Sequence, residues 1–158
     1  MKKTFWTILT ALLLVAAVSL AEGALLRAAG AEEAADAAVQ VALAHAGEDA
    51  QADLVLSGRE DGKAAWTVLL IREGAVLEYE ISADGRVLEA DVYASGGMTP
   101  SQIIALLQAE KGLFELKEAD VDMDDGRLIL SGEAEMDGKR YEFEALMLDG
   151  TLLEWERD

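Results

Sequence analysis

Six pairs of an acidic residue followed by glycine set the fold of this chain: Asp61-Gly62, Glu73-Gly74, Asp84-Gly85, Asp125-Gly126, Asp137-Gly138 and Asp149-Gly150. Glycine at the second position of a tight turn accepts the positive φ that matches strand twist, so such pairs between apolar runs mark β-hairpins. The glycines are spaced 12 and 11 apart in the first half and 12 and 12 apart in the second. A regular set of three turns that returns about 64 residues later implies an internal duplication. In each copy the turns separate four strand-like runs.

The strands of the first copy are expected at Asp53 to Glu60, Lys63 to Arg72, Ala75 to Ala83 and Arg86 to Tyr93. Those of the second are expected at Phe114 to Asp124, Arg127 to Met136, Lys139 to Leu148 and Thr151 to Arg157. A helix precedes each set. Residues Glu32 to Ala46 are alanine-rich, carry Val39, Ala42, Leu43 and Ala46 at helical spacing, and begin with Glu32, Glu33 and Asp36 where the dipole favours acids. Gly47 is placed to end that helix. The second begins at Thr99-Pro100-Ser101-Gln102, a capping box with proline at the first helical position, and presents Ile103, Ile104, Leu106 and Leu107 before Gly112. Helices with antiparallel sheets give an α+β class, here two α-β-β-β-β repeats over 32–94 and 99–158 joined by a linker at 95–98. The strand Lys63 to Arg72 is apolar on both faces, with Trp66, Val68 and Leu70 on one and Ala65, Thr67, Leu69 and Ile71 on the other. A sheet wet on one side does not require that, so the second face is expected to be covered by the other repeat.

Composition then excludes functions. Against 13 Lys and Arg stand 31 Asp and Glu, a formal net charge of −18, which repels nucleic acid and favours cationic partners. Cysteine is absent, which removes thiol catalysis, disulfides and thiolate metal sites. Lys2 and Lys3 precede an apolar run from Phe5 to Leu20 with Ser19-Leu20-Ala21 as a small-residue cleavage site. Residues 1–21 read as a secretory signal peptide, or as an N-terminal anchor if uncleaved, the one route by which the chain would touch a membrane. Residues 22–31 are a lead-in.

The run Ala42 to Gly47 (ALAHAG), followed by Leu77 to Val92 (LEYEISADGRVLEADV) with its Glu-Tyr-Glu-Ile core, Asp-Gly turn and apolar pair, resembles a PepSY domain. Arg140 to Glu156 (RYEFEALMLDGTLLEWE) is a weaker copy of it. The resemblance implies a helix on an antiparallel sheet, export from a bacterium to the outside or the extracellular face of the envelope, and a role in binding or restraining secreted peptidases, as in metallopeptidase propeptides. No His-Glu-x-x-His occurs in the chain.

Catalytic motifs are lacking. The single histidine, His45, reads as a surface residue at a helix end, and no Gly-x-Ser-x-Gly or Ser-x-x-Lys is present. Glu118 to Gly126 superficially resembles a calcium loop, with Asp120, Asp122 and Asp124 as weak candidate ligands. Counted from Asp120, the positions that need glycine and glutamate hold Asp125 and Ser131, so the loop fails and a strand with its acids outward fits better. The same phase puts Glu133, Glu135, Glu142, Glu144, Glu154 and Glu156 on that outer face, solvent-exposed, opposite Ala134, Met136, Tyr141, Phe143, Leu153 and Trp155. The expectation is a non-enzymatic exported protein without a cofactor that binds a protein partner, such as a secreted peptidase, through these six glutamates. A calcium-responsive acidic module is the alternative.

Overall fold

The computed structural model describes residues 31–60 and 62–158, apart from the side chain of Glu60. The expected leader and nearly all of the lead-in lie outside them. The chain divides into Met1–Ala34 and Ala35–Asp158. Of the first unit, 31–34 is the opening turn of a helix, α1, that runs to residue 46. Among the described residues no helix is long and apolar enough to cross a membrane.

Within the second unit the order is β1 (Gln51–Glu60), β2 (Lys63–Arg72), β3 (Ala75–Ser82), β4 (Val87–Ala94), α2 (Pro100–Lys111), β5 (Glu115–Asp124), β6 (Arg127–Met136), β7 (Lys139–Leu146) and β8 (Leu152–Arg157). They form two four-stranded antiparallel meanders, β1-β2-β3-β4 and β5-β6-β7-β8. All six turn glycines have φ between 69° and 79°, and Glu73, Asp125 and Asp137 before them are also left-handed, as primed two-residue turns need. Asp84-Gly85 closes a longer loop, with Gly85 N–H donating to Ser82 O and Ser82 N–H to Arg86 O.

The duplication extends to the register. Trp66 opposes Ser57 and Ile81, and 64 residues later Leu130 opposes Val121 and Ala145. The register shift after Ala52 recurs after Leu116, and that after Glu80 recurs after Glu144. One residue is inserted in the last turn, where Leu146 to Thr151 replaces Ser82 to Arg86, so β8 matches β4 at an offset of 65. Two expectations fail there. β7 stops at Leu146, with Met147 and Leu148 in the turn; and Leu152, not Leu153, packs beside Trp155, leaving Leu153 exposed. Met123, which the acids-outward alternation of that strand puts on the inner side with Ala119 and Val121, is exposed because the core ends at Val121.

Each helix covers one sheet face. α1 lays Ala38, Ala42 and Ala46 on Val68, Leu70, Leu77, Tyr79 and Ile81, with Val39, Val41 and Leu43 at the margins. Small side chains at four-residue spacing let the helix sit close to the sheet. α2 joins Ile103, Ile104 and Leu107 to Val121, Leu130, Phe143 and Ala145 of the second sheet, and also to Leu69 and Val76 on the second face of the first. The doubly apolar β2 is thereby explained. Leu54, Leu56, Leu69, Ile71 and Val76 line that second face, and their counterparts in repeat two are Glu118, Asp120, Glu133, Glu135 and Arg140. Burying each aliphatic group is worth about 1.5–3 kcal/mol, whereas burying those charges would be costly. Only the first sheet can bury part of its second face, over β1, β2 and the start of β3.

The N-terminus of α2 is fully capped. Thr99 N–H donates to Gln102 Oε1, Gln102 N–H to Thr99 Oγ1, Pro100 has no N–H, and Ser101 N–H donates to Asp53 Oδ2 at 2.8 Å. Asp53 stands at the β1 bulge and also accepts from Ser101 Oγ at 2.6 Å, which ties the repeats together. The linker is equally fixed: Ser95 N–H donates to Gly74 O and Met98 N–H to Met147 O.

Candidate functional site

Carboxylates alternate along strands that face the same way, so the register stacks them in rows. Glu118, Glu133, Glu142 and Glu156 lie opposite one another across all four strands of the second sheet. Asp120, Ser131, Glu144 and Glu154 form the next row. Glu118, Asp120, Glu133, Glu142, Glu144 and Glu154 enclose a basin of about 200 Å³. Like charges directly opposite across strands are unfavourable by some tenths of a kcal/mol each. Two cations offset part of this: Arg140 Nη1 lies 3.7 Å from Glu133, and Lys117 Nζ lies 3.4 Å from Glu135 and 2.7 Å from Glu115.

The six predicted glutamates share this outer face but not the same exposure. Glu142, Glu154 and Glu156 are exposed, while Glu133, Glu135 and Glu144 are half-buried. The uniform exposure expected for them fails because neighbouring side chains, including Arg140 and Lys117, lie across the inner strands. Asp122 and Asp124 are exposed, and Asp124 pairs with Arg127 at 3.6 Å. Asp120 is half-buried, its carboxyl held above the usual range by burial and by Asp122. Burial also raises Glu118, with Asp120 and Glu133 adding to it. Among the described residues no group of three or more carboxylate, histidine or cysteine side chains is arranged to hold a metal ion.

A second acidic cleft, of about 240 Å³, was not foreseen. It lies between β3–β4 and the edge of β5 and is lined by Glu78, Glu80, Glu89, Asp91, Tyr93, Asp120, Val121 and Asp122. Asp120 thus borders both cavities. Glu78 stands opposite Asp91, and Glu80 opposite Glu89. These four correspond by register to Glu142, Glu156, Glu144 and Glu154 of repeat two. The sequence signal was present in the repeated patterns Glu78-x-Glu80 with Glu89-x-Asp91 and Glu142-x-Glu144 with Glu154-x-Glu156.

Glu78 departs furthest from ordinary behaviour. Its Oε2 accepts from Val121 N–H at 3.1 Å, and burial pushes its carboxyl up to about 7, with Asp120, Asp122 and Asp91 contributing repulsion against the lowering effect of that bond. Tyr93 is raised to about 12 by burial and by the charges of Glu78 and Asp91. Glu78 in turn moderates the rise at Asp120, the one lowering influence on that carboxyl. His45 is exposed, with Nδ1 3.4 Å from the Tyr79 hydroxyl in an edge-on ring contact. It stands on the opposite face of the first sheet from the acidic cleft.

No protein-family model matches the sequence, and no curated protein matches it. Among solved structures, the chain is similar to a putative lipoprotein from Clostridium difficile 630, at 22% identity and a TM-score of 0.42, covering 70% of this chain and 84% of that one.

Proposed function

We propose that the chain is a non-enzymatic, exported PepSY-like protein of the bacterial envelope that docks a cationic protein partner on the outer face of its second sheet. The observation that carries this reading is the asymmetry of the duplication. Positions that are apolar and covered in repeat one, Leu54, Leu56 and Leu69, are Glu118, Asp120 and Glu133 in repeat two, where the face is open. A dense array of one sign raises the potential that a basic surface feels within about 8 Å at physiological salt and speeds its approach. A partner that supplies Lys or Arg would also relieve the repulsion along the two rows. The PepSY resemblance of Leu77 to Val92 supplies the partner class, a secreted peptidase.

The test immobilises the full chain beside a variant carrying Glu142→Lys, Glu144→Lys, Glu154→Lys and Glu156→Lys, and presents both with exported bacterial proteins. The expected result is a protein retained by the wild type, released by a few hundred millimolar salt and lost on the variant. Equal, salt-independent retention on both would remove the acidic face from the interaction. A wild type that retains nothing, but melts at a higher temperature with calcium, would replace this reading with a cation-responsive one.

A further inference from the structure

We propose that Glu78 is a pH-operated clasp between the two repeats: with a proton on its carboxyl it holds the edge of β5, and as an anion it releases that edge. Glu78 projects from β3 on the second face of the first sheet, between Leu69 on one side and Asp91 on the other. Its Oε2 reaches Val121 N–H at 3.1 Å, a donor on the side of β5 that no strand pairs. Val121 itself is buried in the core that Leu69, Val76 and α2 share with the second sheet. The bond therefore sits where that core meets the acidic cleft.

Every charged group lining the cleft beside Glu78 is acidic. Glu80 lies on its own strand, Glu89 and Asp91 on β4 beside the phenol of Tyr93, and Asp120 and Asp122 on β5 to either side of Val121. In the neighbouring cavity Arg59 and Lys117 stand with Glu80, Glu118 and Asp120, and Lys117 is engaged by Glu115 and Glu135. In the neutral form the carbonyl of Glu78 accepts from Val121, and its hydroxyl is a donor in a cleft of acceptor carboxylates that includes Asp120 of β5. Loss of the proton removes that donor and sets a further negative charge against Asp120, Asp122 and Asp91. Part of the cost falls on the joint between the repeats, because Asp120 and Asp122 belong to β5 of the second repeat while Glu78 and Asp91 belong to the first. The carboxyl's position near 7 places the change within the range met outside a cell.

The test is hydrogen exchange of the Val121 amide in the full chain, corrected for the pH dependence of chemical exchange, compared with Glu78→Gln. Glutamine keeps an acceptor for Val121 and a donor toward the surrounding carboxylates at every pH. A group near 7 in the closed form and near 4.5 when released makes opening about tenfold more frequent at pH 8.5 than at pH 6. The expected result is that rise for the wild type, a flat profile for Glu78→Gln, and little change at Leu130 in the centre of the second sheet. A second variant, Asp91→Asn, keeps Glu78 and removes one opposing charge, and should make the rise smaller and level off at lower pH than in the wild type. The same rise in wild type and Glu78→Gln, or an equal rise at Leu130, would overturn the clasp in favour of general loosening by net charge.

Discussion

Replacing Asp53 by alanine tests how the two repeats are held together. Its carboxylate accepts from Ser101 N–H at 2.8 Å and Ser101 Oγ at 2.6 Å, and the first is the one α2 N-terminal donor that the capping box leaves unsatisfied. A hydrogen bond to a charged acceptor is worth about 1.5–3 kcal/mol, and the half-buried site lets water recover part of two such bonds. The favourable position of an anion at a helix N-terminus adds about 0.3–1 kcal/mol. The sum after solvent recovery is a loss of about 2–3 kcal/mol, or a fall in Tm of about 10 °C for a domain of this size. Ser101→Ala keeps the backbone bond and should cost about 1 kcal/mol, with almost no further cost on the Asp53→Ala background. Urea titration followed by tryptophan fluorescence measures all three, with m unchanged. A loss under about 0.5 kcal/mol for Asp53→Ala, or additive single effects, would refute the claim that this cap joins β1 to α2.

Three further outcomes follow from packing and charge. A Cβ on Gly97 would lie 2.1 Å from Met147 O and 2.5 Å from Leu148 Cα, whereas one on Gly96 meets nothing within 4 Å; Gly97→Ala should therefore lose about 2–3 kcal/mol in thermal or urea unfolding and Gly96→Ala almost nothing. Because the Glu78 carboxyl is higher in the folded protein than its ordinary 4.5, its contribution to stability is fully present below about pH 4.5 and lost as pH rises through about 7. That rise is worth at most about 3 kcal/mol, reduced to about 1–2 by water in the cleft, so Glu78→Gln should be the more stable protein by about that amount at pH 8.5 and show no advantage at pH 5 in calorimetry. Glu142→Lys turns its oppositions with Glu133 and Glu156 into attractions and should raise Tm by a few degrees at low salt, an effect that 1 M NaCl removes.

Local rules made the architecture legible. Acidic-Gly pairs fixed the six hairpins and the capping box fixed the start of α2, because each depends on backbone conformations that few residues adopt. The second dry face of β2 was legible too, since Leu69 and Ile71 alternate with Val68 and Leu70 in a strand too short to hide both sets alone. The inward side of β8 was not: a one-residue insertion at Met147 and Leu148 and a register shift move Leu152 into the place assigned to Leu153, and no periodicity announces a bulge. The site was half legible. The glutamate rows of repeat two follow from strand phase, but the cleft around Glu78 depends on how the edge of β5 meets β3, a contact between residues 43 apart in sequence. Glu78 and Glu80 looked like the wet side of an ordinary strand.

The unequal second faces predict how the repeats behave apart. Repeat one carries Leu54, Leu56, Leu69, Ile71 and Val76 on a face that α2 and β5 cover, and separation would expose them together. An apolar patch of this kind on a monomer promotes association. Repeat two loses less: its own sheet keeps α2 over Leu130, Phe143 and Ala145, and its outer face is already charged and wet. Residues 35–94 should therefore associate or precipitate, while residues 95–158 should stay monomeric with reduced stability, and mixing the two should restore solubility by re-forming the shared core. Size-exclusion chromatography of each piece and of the mixture reads this directly. A soluble, monomeric first piece that ignores the second would mean the shared cluster contributes little, and the joint would then rest on the polar contacts of Asp53 and Glu78.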